Sequence, residues 1–115
     1  MKIGLDAMGG DYAPDAVVEG AVDALGQLPS GDRIVLIGDN GQIRGKLASM
    51  GVEPSCFDIM PTTQVIEMSD HPAKAFSQKR DSSIAVGFGM LKSGLIDGLA
   101  SAGNTGAMMV GASYT

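Results

Sequence analysis

Short apolar runs alternate with amphipathic segments along almost the whole chain. Residues 2–5, 33–37, 57–60 and 98–101 are short and mainly apolar, and they predict four β-strands. Between these runs, apolar side chains recur every three or four positions, which indicates helices. The resulting order is β-α-β-α-β-loop-α-β-α. This alternation predicts an α/β fold, with a mostly parallel sheet and helices on both of its faces.

Local signals predict where the helices begin and end. Pro14 stands where the first helix would place its first residue. Ser82 or Ser83 is suited to cap a later helix, and Gly94 to end it in a left-handed conformation. A last helix is expected to open at residues 103–106.

Composition and charge limit the classes of partner and the cellular compartments that are expected. A chain of 115 residues accommodates one domain. Its net charge of −5 argues against a nucleic-acid partner, which would require a basic face. Cys56 is the single cysteine, so an internal disulfide is excluded and a reducing compartment is favoured. We expect its side chain to be buried, as free cysteines usually are.

The ends of the chain carry two further expectations. No apolar stretch approaches the roughly 18 residues of a membrane span, and the zones of a signal peptide are missing, so a cytoplasmic location is predicted. The run 108–112 is apolar and lies close to the last residue, whereas chain termini are usually polar. We therefore expect a chain cut inside a helix.

Two turns rich in glycine and short polar residues follow predicted strands. The first turn is residues 6–11, and the second turn is residues 101–107. Turns of this kind share the carboxyl edge of a parallel sheet, where ligands bind. Glycine amides and a helix start together form a socket for phosphate, although either turn alone could be a plain tight turn. The candidate phosphate-binding residues are Asp6, Gly9, Gly10, Asp11, Ser101, Gly103, Asn104, Thr105 and Gly106.

Other ligands fit these turns less well. Neither turn has the Gly-Lys-Ser/Thr or G-x-G-x-x-G pattern of nucleotide sites, so a compact anion such as inorganic phosphate is favoured. Asp6 and Asp11 are too few for a metal site, and no metal is predicted; bracing of the turn or helix capping suits them better. A third turn at residues 38–41 is acidic, and we interpret it as structural.

A long loop is predicted over residues 61–81, with one helical turn near residues 73–76. Long loops in compact domains are usually functional. This loop holds the one dense basic cluster of an acidic chain, formed by His71, Lys74, Lys79 and Arg80. The cluster either attracts an anion to the carboxyl edge or is simply solvated. As the sole histidine, His71 is suited to act as a general base or to polarise a carbonyl, unless its role is structural.

Three motifs, in their order and spacing, resemble the PlsX family of phosphate acyltransferases. They are Ile3-Gly4-Leu5-Asp6-Ala7-Met8-Gly9-Gly10-Asp11, then Asp70-His71-Pro72-Ala73 with Ser82-Ser83 downstream, and finally Ser101-Ala102-Gly103-Asn104-Thr105-Gly106-Ala107. The resemblance covers the whole chain but about a third of a family member. It implies an α/β/α sandwich related to phosphotransacetylases and to isocitrate- and isopropylmalate-dehydrogenase-like folds. Residues 1–115 would then be the N-terminal part of a single catalytic domain.

The resemblance also implies a reaction and its participants. Acyl-[acyl carrier protein] and inorganic phosphate would give acyl phosphate for phospholipid synthesis, without a cofactor. Gly9, Gly10, Asn104 and Thr105 would hold the phosphate, while His71 and Lys79 would balance charge, so that His71, Lys79 and Asn104 form the catalytic set. The implied protein is a cytoplasmic homodimer with peripheral membrane contact through other regions. Two alternatives stay open: a phosphotransacetylase-like enzyme that uses acyl-coenzyme A, and a noncatalytic anion-binding module.

Overall fold

The computed structural model describes residues 1–10, 12–65, 71, 73–74 and 78–101. The elements whose bounds lie within those ranges are four strands, three helices and a short 3-10 helix. The strands are β1 (Lys2–Asp6), β2 (Arg33–Gly38), β3 (Asp58–Pro61) and β4 (Gly98–Ala100), and the helices are α1 (Asp15–Leu25), α2 (Asn40–Ser49) and α3 (Ser83–Ser93), with the 3-10 helix at Pro54–Cys56.

The four strands form one sheet in the order β3-β2-β1-β4, and every neighbouring pair is parallel. Ile3 lies opposite Ile34 of β2, and Leu5 lies opposite Ala100 of β4. The predicted parallel α/β architecture is thereby confirmed.

The sheet is covered on both faces. Ile34 and Leu36 of β2 pack in one core with Val18 of α1 and Leu47 of α2. The intervening residues Val35 and Ile37 pack in a second core with Met90 of α3 and Ile96. Because successive side chains of a strand point to opposite faces, these two cores lie on opposite sides of the sheet. The described part of the chain therefore has the three layers expected of an α/β/α sandwich.

The chain reverses its direction across the sheet between β1 and β4. From β1 it adds β2 and then β3 on one side, and it then returns to place β4 on the other side of β1. Right-handed crossovers in the two directions put their helices on opposite faces. The carboxyl ends of β1 and β4 thus flank the crevice in which doubly wound proteins bind ligands.

Most local signals agree with the structure. The Ser82 side chain accepts a hydrogen bond from Ala85 N at 3.2 Å, and Gly94 ends α3 with a φ of 81°. In the 38–41 turn, Asp39 caps α2 through a bond from Gln42 N, so the structural interpretation holds. Pro14 takes the N-cap position and α1 begins one residue later, at Asp15.

Two expectations need comment. Cys56 is exposed, not buried, because it ends a 3-10 turn on the surface immediately before β3. Ala73 and Lys74 are helical, as predicted for the long loop, whereas residues 75–76 and the last predicted helix lie outside the described residues. No helix in the described ranges is both long and apolar enough to cross a membrane.

Candidate functional site

Asp6 is the centre of a hydrogen-bonded cluster at the carboxyl edge of the sheet. It is the last residue of β1, and only 1% of its surface is exposed. Its Oδ1 accepts hydrogen bonds from Met8 N at 2.9 Å and from the Ser83 hydroxyl, and its Oδ2 accepts one from Ser101 Oγ at 2.7 Å. A buried carboxylate needs such partners, because burial without them is costly. The three hydrogen bonds therefore stabilise the carboxylate in this buried position.

The fold brings these donors together from distant parts of the sequence. Leu5 pairs with Ala100. Asp6, the last residue of β1, and Ser101, the residue after β4, therefore also lie side by side. Ser83 is the first residue of α3, which packs against β1 and β4. Asp6 thus joins β1, the start of α3 and the start of the second turn.

The hydrogen bonds fix the direction of both hydroxyl groups. A carboxylate oxygen can only accept, so Ser83 and Ser101 each donate their single hydroxyl proton to Asp6. Towards any further partner, the Ser101 oxygen acts as an acceptor. Asp6 is covered by these partners. Its hydrogen bonds connect the beginnings of the two turns, so Asp6 acts as a brace between them.

The first turn is held against the neighbouring strand. Ala7 N donates to Ile37 O at 2.9 Å, and the Met8 side chain lies so close to Gly38 that a Cβ there would be 2.8 Å from Met8 Cγ. Gly9 is buried, and Gly10 has a φ of 91°, a conformation that favours glycine. The backbone conformation at position 10 therefore explains why a glycine stands there.

Ser101 is the residue of the second turn that lies within the described residues. This residue is half-buried and directly follows β4. The remaining predicted residues of the two turns lie outside the described residues: they are Asp11, Gly103, Asn104, Thr105 and Gly106.

The two ends of the long loop meet beside the start of α3. Thr63 N and Gln64 N both donate to Asp81 O, and Asp81 N donates to the Gln64 side chain at 3.0 Å. Gln64 also pairs with Ser82, the residue that precedes α3. The base of the basic loop is therefore one residue from Ser83 and its contact with Asp6.

The predicted catalytic residues His71 and Lys79 have contacts within this loop. Lys79 Nζ donates to Val65 O at 2.8 Å and so links the two limbs of the loop. His71 is exposed, and its Nδ1 accepts a long hydrogen bond of 3.4 Å from Lys74 N. These bonds hold both side chains in the loop whose base adjoins the Asp6 cluster.

Ser83 is the site residue that sequence reasoning missed. The serine pair at 82–83 indicated a helix cap and formed part of the family resemblance, but neither serine was assigned to the site. The structure gives the two residues different contacts. Ser82 caps α3, whereas Ser83 is 2% exposed and bonds to Asp6. The amino end of α3, with its partial positive charge, thus faces a carboxylate, which is a favourable arrangement.

An apolar cavity of about 380 Å³ adjoins the cluster. Asp6 and Ser101 contribute its polar lining. Its remaining walls are small or apolar residues of α1 and the strands, namely Leu5, Ala16, Val17, Gly20, Ala21, Ala24, Ile34 and Ala100. An apolar group of a ligand would find suitable surroundings here.

The fold defines a doubly wound α/β protein, with the Asp6 cluster at the carboxyl edge where the strand order reverses. Residues 1–115 match the family model described as fatty acid synthesis protein, and the chain belongs to that family. The resemblance that the three motifs indicated, to the PlsX phosphate acyltransferases, is thereby confirmed.

Curated relatives named phosphate acyltransferase are similar to almost the whole chain. The one from Herpetosiphon aurantiacus is 42% identical over 114 residues, which are 99% of this chain and 30% of that relative. Those from Dictyoglomus turgidum and Acetivibrio thermocellus are 46% and 45% identical, over 95% and 99% of this chain and 32% and 33% of their own length. The chain thus spans about a third of the length of these relatives.

Proposed function

We propose that the full-length protein is a phosphate acyltransferase that converts acyl-[acyl carrier protein] and inorganic phosphate to acyl phosphate and free carrier protein. The observation that carries the proposal is the bond between Ser101 and the buried Asp6, which joins the two predicted phosphate turns at the crevice. The names of the relatives and the fatty acid synthesis family support phosphate acyltransferase activity in general.

In this proposal the phosphate lies between the two turns. Amides of Gly9 and Gly10 bind it from the first turn, and Asn104 and Thr105 bind it from the second. The brace formed by Asp6 keeps the beginnings of the turns adjacent. A fixed arrangement of this kind lowers the entropic cost of bringing phosphate and thioester together.

The reaction is nucleophilic substitution at the thioester carbonyl. A phosphate oxygen forms a bond to the carbonyl carbon, the carbon–sulfur bond breaks, and the carrier protein leaves as a thiolate. The thiolate takes up the proton that the phosphate group releases. Negative charge accumulates on the carbonyl oxygen in between, and His71 and Lys79 balance that charge. One such donor typically lowers the barrier by about 3 kcal/mol. The thioester supplies the driving force, so the proposal includes no cofactor.

The apolar cavity supports an acyl substrate. Its polar lining is Asp6 and Ser101, the residues that join the phosphate turns, and the rest of its lining is apolar. An acyl chain is apolar, as these walls are. This match favours acyl transfer over a purely anion-binding role.

The first experiment compares acyl donors, and it uses a protein with the full length of the relatives. Acyl-[acyl carrier protein] and acyl-coenzyme A are each incubated with phosphate, and acyl phosphate is measured. We expect product from the carrier-protein donor. Activity only with acyl-coenzyme A would establish the phosphotransacetylase-like alternative, and phosphate binding without thioester cleavage would establish the noncatalytic module.

Variants then test the assigned residues. Asn104→Ala should raise the KM for phosphate markedly, and an unchanged KM would contradict the phosphate site. His71→Gln and Lys79→Met should each lower kcat about a hundredfold, the loss typical for one oxyanion donor. Lys92→Met, at the far end of α3, is the control for loss of a surface charge. If the His71 variant or the Lys79 variant has the same kcat as this control, that residue does not belong to the catalytic set.

For the whole protein we further propose that residues 1–115 are the N-terminal part of a single catalytic domain. We propose a cytoplasmic homodimer that contacts the membrane peripherally through other regions. Sedimentation velocity and flotation with anionic vesicles test the dimer and the membrane contact. A monomer, or protein that stays out of the vesicle fraction, would contradict the respective statement.

A further inference from the structure

Asp81 fastens the two ends of the long loop to each other. Its main-chain carbonyl accepts hydrogen bonds from Thr63 N at 3.3 Å and from Gln64 N at 3.1 Å. Its carboxylate Oδ2 accepts from Thr63 N at 2.8 Å and from the Thr63 hydroxyl, and its N–H donates to Gln64 Oε1 at 3.0 Å. The carbonyl, the amide and the side chain of one residue thus all bind the same two neighbours.

Both ends of the loop are attached to the packed part of the fold. Thr62 is 6% exposed, and its N–H donates to Gly38 O at 2.8 Å, which extends the pairing between β3 and β2. On the other side, Ser83 follows Asp81 by two residues and donates to the buried Asp6. Asp81 therefore lies between two fixed elements, the end of a strand and the start of a helix.

The position of Lys79 depends on the residues that Asp81 joins. Lys79 lies two residues before Asp81, and its Nζ donates to Val65 O at 2.8 Å. Val65 directly follows Gln64, which Asp81 binds. The main-chain carbonyl of Lys79 also accepts from Ser82 N at 3.1 Å. Both partners of the Lys79–Val65 bond are thus attached to residues that Asp81 holds together, and loss of its contacts would release them from each other.

We propose that Asp81 is a positioning residue for acyl transfer, which holds the Lys79 ammonium where it balances the charge of the reacting carbonyl. The proposal rests on the proposed function, because that function assigns this role to Lys79. The position of a charged group matters, since a displacement of about 1 Å can lower a rate about a hundredfold. Asp81 acts through Lys79 and is not itself assigned a contact with the substrate.

Steady-state kinetics of the full-length enzyme test the first consequence. Asp81→Ala should lower kcat roughly tenfold, less than the loss expected when Lys79 is removed, and should leave the KM for phosphate unchanged, because the affected charge develops only during the reaction. Asp81→Asn keeps a side-chain oxygen that accepts from Thr63, so it should restore kcat. Asp39→Ala is the matched control, since it removes another carboxylate acceptor at the same edge, bonded to Gln42 N at 2.9 Å, and should keep the wild-type kcat.

A double-mutant cycle tests whether Asp81 acts through Lys79. In a Lys79→Met background, Asp81→Ala should lower kcat no further, because no ammonium is left to position. A structural role unrelated to Lys79 would lower kcat equally in both backgrounds. Additive losses, or a wild-type kcat in Lys79→Met alone, would therefore overturn the proposal.

The placement of Lys79 is also measured without turnover. Reductive methylation followed by mass spectrometry gives the reaction rate of each lysine amine, and Lys92, exposed near the far end of α3, is the internal reference. Lys79 is half-buried, so its rate relative to Lys92 should rise severalfold in Asp81→Ala. If that variant fails to fold, Thr63→Val, which removes the hydroxyl donor to Asp81, replaces it in each measurement and should act in the same direction.

The outcomes separate the two proposals. If the wild type forms acyl phosphate but the relative methylation rate of Lys79 is the same with and without the Asp81 side chain, the positioning proposal is overturned and the proposed function stands. If the wild type forms no acyl phosphate with any donor, the proposed function fails, and the assignment of Asp81 to acyl transfer fails with it.

Discussion

The Ser101 hydroxyl donates a hydrogen bond of 2.7 Å to the carboxylate of Asp6, across a sequence separation of 95. The two residues lie at the carboxyl ends of adjacent strands, β1 and β4. The first turn follows Asp6, and the second turn begins at Ser101. This bond therefore places the starts of both turns together, at the point where the strand order reverses.

Ser83→Ala should destabilise the protein, because it removes one donor from a buried carboxylate. We expect the free energy of unfolding to fall by about 1–3 kcal/mol, the cost of an unsatisfied buried polar group. Urea unfolding of the full-length protein measures this change. Ser93→Ala is the matched control, since that hydroxyl donates to Met90 O at 3.2 Å on the exposed last turn of α3. Equal effects of the two substitutions would contradict the role assigned to Ser83.

Gly10→Ala and Gly31→Ala should cost similar stability but differ in function. Their φ angles are 91° and 92°, and an added Cβ strains such a backbone by roughly 1–2 kcal/mol. Gly31 lies in the turn between α1 and β2, where a Cβ would meet nothing within 4 Å. We therefore expect a raised KM for phosphate only in Gly10→Ala. The idea fails if steady-state kinetics show the same KM in both variants.

Gly87→Ala should be less stable than Gly89→Ala, although both positions lie in α3. Each substitution gains the same helix propensity, about 1 kcal/mol. At Gly87 the new Cβ would lie 2.8 Å from Leu99 Cδ1, while at Gly89 it would meet nothing within 4 Å. Overpacking typically costs about 1–3 kcal/mol, and the two unfolding free energies should differ by that amount. Indistinguishable values would mean that Leu99 moves aside freely.

The contribution of Lys46 to the stability of the protein should depend on pH in the alkaline range. Its ammonium group lies 2.9 Å from Glu19 Oε1, so α2 is linked to α1. The hydrogen bond with Glu19 raises the pKa of Lys46 above its ordinary value of 10.5. A raised folded-state pKa means that the stabilisation is fully present below the ordinary value and is lost as pH rises through the raised one.

Thermal unfolding of Lys46→Gln and wild type tests this expectation. The melting temperature of the wild type should be higher at neutral pH, and the difference should shrink in high salt and above the ordinary lysine pKa. A difference that persisted unchanged at strongly alkaline pH would show that the effect comes from packing of the lysine stem, not from its charge.

Local patterns were sufficient to predict the four strands and the three helices whose bounds the structure gives. The nearly continuous apolar run at 33–37 became β2, whose Ile34 and Val35 face opposite cores, because a strand covered on both faces needs apolar residues on both. Ser82 and Gly94 delimit α3 through bonds and backbone angles that involve only nearby residues. Such signals are readable because cause and effect lie within a few positions. Cys56 was predicted wrongly, because residue type says how often a side chain is buried and not where the surface lies.

The site itself depends on strand order, which no local pattern encodes. Asp6 meets Ser83 and Ser101 across 77 and 95 positions because β4 returns to the side of β1 and α3 crosses the opposite face of the sheet from α1. The sequence indicated which turns are rich in glycine and short polar residues, since those residue types have an intrinsic chemistry. Only the folded chain determines which hydroxyl donates to which carboxylate, because a hydrogen bond requires its partners to lie within about 3 Å of each other.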